Sequence, residues 1–355
     1  MRPDFDALPY LTEDLPGTGE RIRAELEHFQ VEEVPAYLPS GSGEHLYLWV
    51  EKRGLTTRDL VDRLVALGVP EVGIGVAGLK DKYAVTRQWL SIPTRYEHVL
   101  KAFEEPGKIR VLNTGRHTNK LKTGHLRGNR FRVFVVGAEI EKAKAALDRL
   151  REKGVPNYYG PQRFGLQGKN PEKGLELIQK KKGRGRPWLQ RFLIGSVQSL
   201  LFNAYLAERL RQGLYDRFLK GDIAKKHATG GEFRVEDPEQ ENPRAQTLEI
   251  SPTGPLFGKK YFEAREESRA FEDAILERFG LSRADFSARR GARRPIRVPL
   301  EEAHLEPAEG GVWLSFFLPK GSYATSLLRE VMKKNPEAKG PGATSGERLE
   351  TETQL

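Results

Sequence analysis

An aspartate between two lysines is the part of this sequence best suited to chemistry. Lys80, Asp81 and Lys82 follow VGIGVAGL, a run of small and apolar residues at positions 72–79. Such a run suits a buried strand and contains poor helix formers, so it predicts a strand that ends near the aspartate. Positive charge on both sides favours an ionised carboxylate, which a carboxylate nucleophile requires. A charged turn between two core segments is the alternative interpretation.

Glycines at positions 73, 75 and 78 interrupt the same apolar run. Because glycine has no side chain to pack, another part of the chain is expected to approach this backbone closely. The segment at 72–93 is therefore predicted to lie at the centre of the protein.

The length and composition indicate a globular protein. At 355 residues the chain is long enough for two domains, each with its own core. Charged residues make up 30% of the chain and hydrophobic residues 38%. No run approaches the roughly 18 apolar residues of a membrane span, and the N-terminus has no apolar segment typical of a secretory signal. We expect a cytoplasmic protein, and a monomer.

Several kinds of site are excluded by residue counts. The chain contains no cysteine, which excludes disulfides, thiol catalysis and cysteine-ligated zinc. Its seven histidines are scattered without the spacing of metal ligands. We therefore expect no metal site.

The net charge of +10 favours an anionic partner, most simply nucleic acid. Basic residues concentrate at positions 117–132, 180–191 and 289–297, each with a glycine or an aromatic residue within or beside the cluster. Surfaces that follow a phosphate backbone often have this composition. A solvated charged face would explain any one cluster, but three clusters favour the binding of a polyanion.

The elements around Asp81 predict an α+β sheet. Period-2 alternation and strand composition predict strands at 21–26, 45–52, 109–115, 125–136 and 311–318. Apolar residues at helical spacing predict helices at 57–67, 139–153, 194–211, 263–279 and 324–332. The residues after 335 lack apolar content and are expected to be disordered.

Six segments, the first of which contains Asp81, form a series along the chain. They are AGLKDKYAVTRQ (77–88), LRGNRF (126–131), VPNYYGPQRFG (155–165), SLLFNAYLAERL (199–210), PTGPLFG (252–258) and LPKGSYATSLLREVM (318–332). In this order and spacing they closely resemble the TruD family of tRNA pseudouridine synthases. The likeness runs over nearly the whole chain, and six motifs in register make chance a poor explanation.

This resemblance implies an enzyme that isomerises uridine in RNA to pseudouridine, typically uridine-13 of certain tRNAs, with no cofactor or metal. It implies a catalytic domain of the pseudouridine-synthase fold with a mixed or antiparallel sheet, formed by residues 1–153 and 304–335. An inserted α+β TRUD domain would occupy residues 154–303, and residues 336–355 would be a disordered tail. If both ends of the chain build one sheet, the two ends of the insertion must lie close together.

The chemistry of the residues fits that implication. The isomerisation breaks the C1′–N1 glycosidic bond, turns the uracil and rejoins it through C5. The reaction needs an anionic group beside the sugar and base, and Asp81 is the candidate nucleophile. The uridine must also leave its stack for a basic cleft, at a cost of a few kcal/mol that contacts in the pocket must offset.

The family motifs place four residues in the uridine pocket. Phe131 is expected to stack on the base, with an ordinary strand-core phenylalanine as the alternative. Asn129 is expected to contact the substrate, with a turn asparagine after Gly128 as the alternative. Phe29, in the family's D-F-x-V-x-E pattern, and Tyr323, before an A-T-S sequence, are expected to line the pocket.

Two basic residues belong with the nucleophile in the same comparison. Lys80 precedes Asp81, and Arg23 falls where the family places a basic residue that can pair with the aspartate. The sequence departs from the D-F-x-V-x-E pattern at His28, where the family usually has aspartate. Any role of that aspartate is therefore in doubt here.

Two other classes of function stay open on the residues alone. A non-catalytic RNA-binding protein or RNA chaperone would explain the net charge, but not an intact GLKDKYAVT sequence. A hydrolase that cleaves the glycosidic bond would also use a carboxylate. Such a hydrolase usually needs a second carboxylate as acid or base, and none is evident near Asp81 in the sequence.

Overall fold

A computed structural model describes residues 2–180 and 187–336 of the chain. Nearly all of the tail that is predicted to be disordered, 336–355, lies outside the described residues, as do residues 181–186 of the second basic cluster. The disorder of the tail and the binding of a polyanion by the second basic cluster therefore stay predictions.

The described residues alternate between strands and helices along most of the chain. The strands are β1 (Phe29–Pro35), β2 (His45–Arg53), β3 (Gly75–Val76), β4 (Val85–Pro93), β5 (Ile109–His117), β6 (Leu126–Val136), β7 (Val155–Pro156), β8 (Ile223–Lys226), β9 (Glu232–Arg234), β10 (Ile250–Leu256), β11 (Ala292–Pro295), β12 (Arg297–Val298), β13 (Glu301–Ala308) and β14 (Gly311–Pro319). The helices are α1 (Thr57–Ala66), α2 (Leu100–Phe103), α3 (Ile140–Lys153), α4 (Asn170–Lys180), α5 (Pro187–Arg211), α6 (Pro238–Gln246), α7 (Glu266–Arg278) and α8 (Ala324–Met332).

These elements form two compact units. The sheet unit comprises Thr18–Glu141 and Glu301–Gly321, and the helical unit comprises Met1–Gly17, Lys142–Leu300 and Ser322–Pro336. By contact, α3 and α8 belong to the helical unit, although the family comparison assigns both to the catalytic domain. The division into a catalytic and an inserted domain stays a prediction.

The sheet unit is organised around a mixed sheet. Its strand order is β13-β14-β6-β1-β4-β2-β5, and β3 also pairs with β4. The pairing of β1 with β4 is parallel, and the other pairings are antiparallel. Strand β14 pairs along its whole length with β6, so segments far apart in sequence build one sheet. The predicted α+β fold with a mixed sheet is confirmed.

The strand register fixes which side chains share a face of this sheet. Cross-strand partners run from Lys52 through Thr86, Val31 and Phe131 to Phe316. Directly paired residues point to the same side of a sheet, so these five side chains lie on one face, which we call the inner face. The alternate residues of the same strands form the outer face.

The predicted strand at 72–79 is wrong for most of its length. Residues Glu71–Gly73 form a 3-10 turn, β3 contains two residues, and Asp81 lies in the loop between β3 and β4. At Gly75, within β3, a Cβ atom would lie 2.3 Å from the carbonyl oxygen of Leu121 and 2.5 Å from the hydroxyl oxygen of Ser91. The expected close approach to this glycine-rich backbone is therefore confirmed.

The predicted strand at 21–26 is also wrong, and β1 begins only at Phe29. Arg21 makes an isolated bridge to Val136, but Arg23 has a φ of 56°. This left-handed conformation is uncommon outside glycine and cannot continue a strand. By contrast, β6 is continuous through Gly128 and Asn129, so Asn129 is not a turn residue.

The remaining predicted strands and helices are present with small shifts of their ends. Helices α1, α3, α7 and α8 and strands β2, β5 and β14 match their predicted segments, and α5 begins seven residues earlier than predicted. In helix α1, Thr56 and Asp59 cap each other's backbone N–H groups, a capping box that fixes where the helix starts.

The helical unit has its own small sheet and apolar core. Its four-stranded sheet has the order β11-β10-β8-β9, and helix α5 supplies much of the buried apolar cluster. A separate pair joins β7 with β12, with Pro156 opposite Arg297 and Val155 opposite Val298. The two ends of the segment at 155–298 therefore lie side by side.

Candidate active site

The carboxylate of Asp81 is held by the guanidinium of Arg23. Arg23 Nη2 donates to Asp81 Oδ2 at 2.8 Å, and the two side chains are 15% and 29% exposed, respectively. A charge-assisted bond of this length fixes the position of the carboxylate. More than a quarter of the aspartate side chain is exposed, so the carboxylate is held in place but is still partly accessible to solvent.

Arg23 is itself fixed by the strand that it precedes. Its guanidinium carbon lies 4.0 Å from the centroid of the Phe29 ring, a cation–π arrangement. The backbone of Arg23 is left-handed, and the contacts of its side chain with Asp81 and Phe29 hold it in that conformation. Phe29 is only 1% exposed, so its ring supports Arg23 from within the core.

A row of aromatic rings continues from this position across the sheet. Phe29 and Phe131 lie with ring centroids 6.2 Å apart, and Phe131 stacks on Phe316 at 5.3 Å and 26°. Phe131 is only partly buried. Contacts therefore connect the carboxylate of Asp81, through Arg23 and Phe29, to a ring that is open for stacking.

Lys80 points into the sheet. Its ammonium lies 2.8 Å from Glu33 Oε2, and the two side chains are 4% and 0% exposed. The other oxygen of Glu33 accepts a bond from the backbone N–H of Trp89 at 3.2 Å. The backbone N–H of Lys80 donates to Thr57 Oγ1 at 2.8 Å. Both the side chain and the main chain of Lys80 thus anchor the loop that carries the aspartate.

Asn129 lies opposite Glu33 in the register of β1 and β6. It is buried, and its side-chain oxygen accepts no hydrogen bond from any described residue. Buried polar atoms are normally paired, because an unpaired one keeps its desolvation cost. The open acceptor of Asn129 is therefore a candidate for contact with a ligand.

Two residues of this site were missed at the level of sequence. Glu33 is the final residue of the segment HFQVEE, which follows the family's D-F-x-V-x-E pattern at every position except His28. Lys52 lies on β2 with no exposed surface, and its ammonium donates to the carbonyl oxygens of Leu55 and Asp81. In each strand the residue falls in the same alternating register as buried apolar neighbours, and that register is the signal that could have identified it.

His28 and Tyr323 have surroundings different from those of the other predicted site residues. The imidazole of His28 packs 4.7 Å from the ring of Phe134 and 6.0 Å from that of Trp313, so it joins an aromatic cluster where the family usually has a carboxylate. Tyr323 belongs to the helical unit, where its ring lies 6.1 Å from that of Tyr159. The other six predicted site residues are all in the sheet unit.

Within residues 2–180 and 187–336, no group of three or more His, Cys, Asp or Glu side chains is placed to hold a metal ion. No helix there is both long enough and apolar enough to cross a membrane.

Comparison with known proteins identifies relatives along nearly the whole chain. The family model for tRNA pseudouridine synthase D (TruD) matches residues 7–184 and 186–331. The chain is 64% identical over 328 residues to a tRNA pseudouridine synthase D of Thermus thermophilus, covering 92% of each chain. It is 47% identical over 341 residues to the tRNA pseudouridine synthase D of an Anaeromyxobacter species, covering 93% of this chain and 97% of that one.

A solved structure shares the fold. A Methanosarcina mazei chain, described as a candidate tRNA pseudouridine synthase D (TruD), matches with a TM-score of 0.74 and 24% identity, covering 93% of this chain and 97% of that one. The resemblance carried by the six motifs is therefore confirmed by sequence along the chain, and its fold by structure. The chain belongs to the TruD family of tRNA pseudouridine synthases, isomerases that act on uridine in tRNA.

Proposed function

We propose that this protein converts uridine-13 of tRNA to pseudouridine, with the carboxylate of Asp81 as the nucleophile. The observation that carries the proposal is the partly exposed Asp81 carboxylate, 2.8 Å from the Arg23 guanidinium. Contacts from Arg23 lead to the partly exposed ring of Phe131 on the inner face. The isomerisation requires both a fixed carboxylate and an aromatic platform, and Asp81 and Phe131 are the residues that we assign to these two roles.

In the proposed reaction, the Asp81 carboxylate bonds to C1′ of the ribose as the C1′–N1 bond breaks, and the electron pair of the broken bond leaves with the uracil. The base then turns, and C5 bonds to C1′ as the bond between C1′ and the carboxylate oxygen breaks. The hydrogen on C5 leaves as a proton, N1 gains a proton, and the free carboxylate is regenerated. The product is an isomer of the substrate, so no oxidant, reductant or other reactant is needed.

The target uridine must leave its stack before it can react, which costs a few kcal/mol. We assign the stacking of the flipped uracil to Phe131, which is supported from behind by Phe316. The open acceptor of Asn129 suits the N3–H group on the Watson–Crick edge of uracil. These contacts would offset the cost of extruding the base.

The other predicted site residues receive roles that follow from their burial. Phe29 and Lys80 act through Arg23 and the Asp81 loop, because both side chains are buried against protein groups. Arg23 holds the carboxylate. Tyr323 stays a proposed residue of the uridine pocket on the strength of the family motif.

The burial of Glu33 argues against the hydrolase. This second carboxylate lies near Asp81 in the fold, but its side chain is fully buried, and it binds Lys80 and the N–H group of Trp89. An enclosed, ion-paired carboxylate is poorly placed to activate a water molecule as general base. The isomerase is therefore the better-supported function of this site.

The test is to replace Asp81 with asparagine and incubate the variant with unmodified tRNA. Asp81→Asn preserves the size of the side chain but removes its charge, so turnover should fall by about 10⁴-fold or more, while tRNA binding persists. Nucleoside analysis of the tRNA measures pseudouridine, and a tRNA with cytidine at position 13 should yield no product.

Asp62→Asn is the matched control, because Asp62 lies on α1 with a largely exposed side chain and should not affect turnover. Substantial activity in Asp81→Asn would exclude Asp81 as the nucleophile. Release of free uracil would identify a hydrolase.

A further inference from the structure

Lys52 is a fully buried lysine that contacts the main chain of the proposed nucleophile. It lies near the end of β2, and none of its surface is exposed. Its ammonium donates to the carbonyl oxygen of Asp81 at 2.8 Å and to that of Leu55 at 2.5 Å, with the carbonyl oxygen of Lys80 at 3.4 Å. Three oxygens of two separate loops thus converge on one ammonium.

A buried ammonium is costly unless its hydrogen bonds are made. Here the bonds go to the loop between β3 and β4 and to Leu55 in the loop after β2, not to the regular backbone of the sheet. At this position in β2, an apolar residue of similar volume would continue the inner-face series of Leu46, Leu48 and Val50. The charge is therefore placed where it orders the Asp81 loop.

Three other residues bind different atoms of the loop between β3 and β4. Thr57 accepts from the backbone N–H of Lys80, Glu33 binds the side chain of Lys80, and Arg23 binds the carboxylate of Asp81. Lys52 fixes the carbonyl group of Asp81 itself, one bond from its Cα atom. With both its carbonyl and its carboxylate held, the aspartate has little freedom to turn away from the site.

We propose that Lys52 is a positioning residue for the isomerisation: its ammonium fixes the main chain of Asp81 before tRNA binds, so that the carboxylate is presented in one orientation. This inference rests on the function proposed above for Asp81. A displacement of about 1 Å in a reacting group can cost about 100-fold in rate. Loss of Lys52 should therefore lower kcat by about that factor and leave the affinity for tRNA unchanged.

The absence of cysteine from the chain allows a direct test by chemical rescue. Lys52→Cys introduces a single thiol, which can be alkylated in urea before the protein is refolded. Treatment with 2-bromoethylamine places an ammonium at the end of a side chain with the length of lysine. Iodoacetamide places a neutral amide there instead. Wild-type protein taken through the same steps has no thiol and provides the reference.

The expected result is that Lys52→Cys has a kcat about 100-fold below that of wild type, that aminoethylation restores most of it, and that carbamidomethylation does not. The dissociation constant for tRNA should be the same in all forms. Equal activity of the two alkylated forms would overturn the proposal, because the charge would then have no role. A wild-type kcat in Lys52→Cys would also overturn it.

Lys52→Met, produced without refolding, serves if the cysteine variant does not refold. Its matched control is Val50→Ala, which removes a buried side chain from the same face of the same strand. Compared below their unfolding temperatures, Lys52→Met should lose kcat and Val50→Ala should not. A similar loss of kcat in both variants would show that Lys52 acts only through stability and would overturn the proposal.

The proposed function and this inference fail in different ways. If Asp81→Asn is inactive while Lys52→Met retains the wild-type kcat, the role of Lys52 falls and that of Asp81 stands. If Asp81→Asn is active, the proposed function falls, whatever the behaviour of Lys52.

Discussion

Lys80–Glu33 in the sheet unit and Arg209–Asp222 in the helical unit are both buried ion pairs. Their closest N–O distances are 2.8 and 3.0 Å, and both carboxylate side chains are fully enclosed. By length and burial alone, the two pairs would be assigned the same role. Their surroundings distinguish them.

The Arg209–Asp222 pair is closed by further bonds. Arg209 also donates to the hydroxyl of Tyr205 and to the carbonyl oxygen of Arg217, and Asp222 accepts from the hydroxyl of Ser268. Burial opposes the charge of Arg209, but the attraction of Asp222 prevails and raises the pKa of the guanidinium above its ordinary value. Such a network joins α5 to the segments that follow it and has no open position for a ligand.

The inner face that carries Glu33 also carries unpaired polar atoms. The side-chain oxygen of Asn129, the residue opposite Glu33, accepts no hydrogen bond from the described residues, and the hydroxyl of Thr86 on the same face has no partner among them. The residue after Lys80 is the partly exposed Asp81. We infer from this comparison that a partly exposed carboxylate and unpaired polar atoms, and not burial of the pair, mark the proposed site.

Breaking the pair in the sheet unit should have the largest effect, because it affects both stability and catalysis. Glu33→Gln leaves the Lys80 ammonium buried without its carboxylate, which typically costs about 3–5 kcal/mol of stability. It should also loosen the Asp81 loop and lower the kcat of the folded protein by about 100-fold. Urea unfolding and tRNA turnover measure the two effects separately.

Glu32→Gln is the matched control for this prediction. Glu32 is the adjacent residue of β1, lies on the outer face and is 40% exposed. The Glu32→Gln variant should keep the stability and the turnover of the wild-type protein. A Glu33→Gln protein that turns over tRNA at the wild-type rate would remove the functional half of the comparison.

Breaking the closed pair should affect stability alone. Asp222→Asn leaves the guanidinium of Arg209 enclosed with a neutral partner, and we expect a loss of about 3–5 kcal/mol in the free energy of unfolding. Below the unfolding transition, the kcat should be that of wild type. Asp216→Asn, which alters a partly exposed pair with Lys153 in the same unit, should cost about 1 kcal/mol or less. If the kcat of Asp222→Asn fell as much as that of Glu33→Gln, the distinction between the closed pair and the pair near Asp81 would be contradicted.

The sequence predicted the elements whose signals are local. Helix α8 and strand β14 follow from the 3.6 and 2.0 periodicities of their own residues. The two strands that were predicted wrongly lie where the chain contacts residues far away in the sequence. Gly75 is pressed against Leu121, and the backbone of Arg23 takes a left-handed turn where its side chain pairs with an aspartate 58 positions away.

The candidate site was predictable where a family motif marked it. Asp81 and Arg23 were paired from the motifs, and the structure places them in contact. The buried partners Glu33 and Lys52 were not predicted, because charged residues in strands are ordinarily assigned to the solvent side. Their inward register was visible in the sequence. What they contact was not, because those atoms belong to a loop between two other strands.

A pH titration tests whether the helical unit is as closed as its ion pair suggests. Burial, together with the charges of Arg297 and Lys225, lowers the pKa of His227 to about 4, against about 6.5 in an unfolded chain. The unfolded state therefore binds a proton that the folded state excludes. The stabilisation is complete above pH 6.5 and is lost as the pH falls towards 4, by about 3 kcal/mol in total.

His227→Gln should flatten this part of the stability curve. Nε2 of His227 lies 2.6 Å from the hydroxyl of Ser251, and glutamine can still form a bond there without titrating. His304→Gln, at an exposed position of the sheet unit, should leave the curve as in wild type. An unchanged pH dependence in His227→Gln would indicate that water reaches this part of the helical unit.

The smallest effect is expected from the exposed ion pairs on the outer face of the main sheet. Arg87 lies 3.0 Å from Glu51 and 3.6 Å from Glu32, but its side chain is 48% exposed. Exposed pairs contribute about 0.2–1 kcal/mol each, so Arg87→Gln should lower the free energy of unfolding by about 1 kcal/mol or less at low salt. The difference from wild type should disappear in about 1 M salt, where the screening length is about 3 Å. Turnover should not change, because Arg87 is on the face opposite to Phe131 and Lys52.

The distance between Arg87 and Glu51 matches those within the two buried pairs, so Arg87→Gln separates the effect of geometry from that of burial. A loss of several kcal/mol that persists in salt would mean that close contact alone makes a pair strong, and the closure of the Arg209–Asp222 network would then not be needed to explain its role.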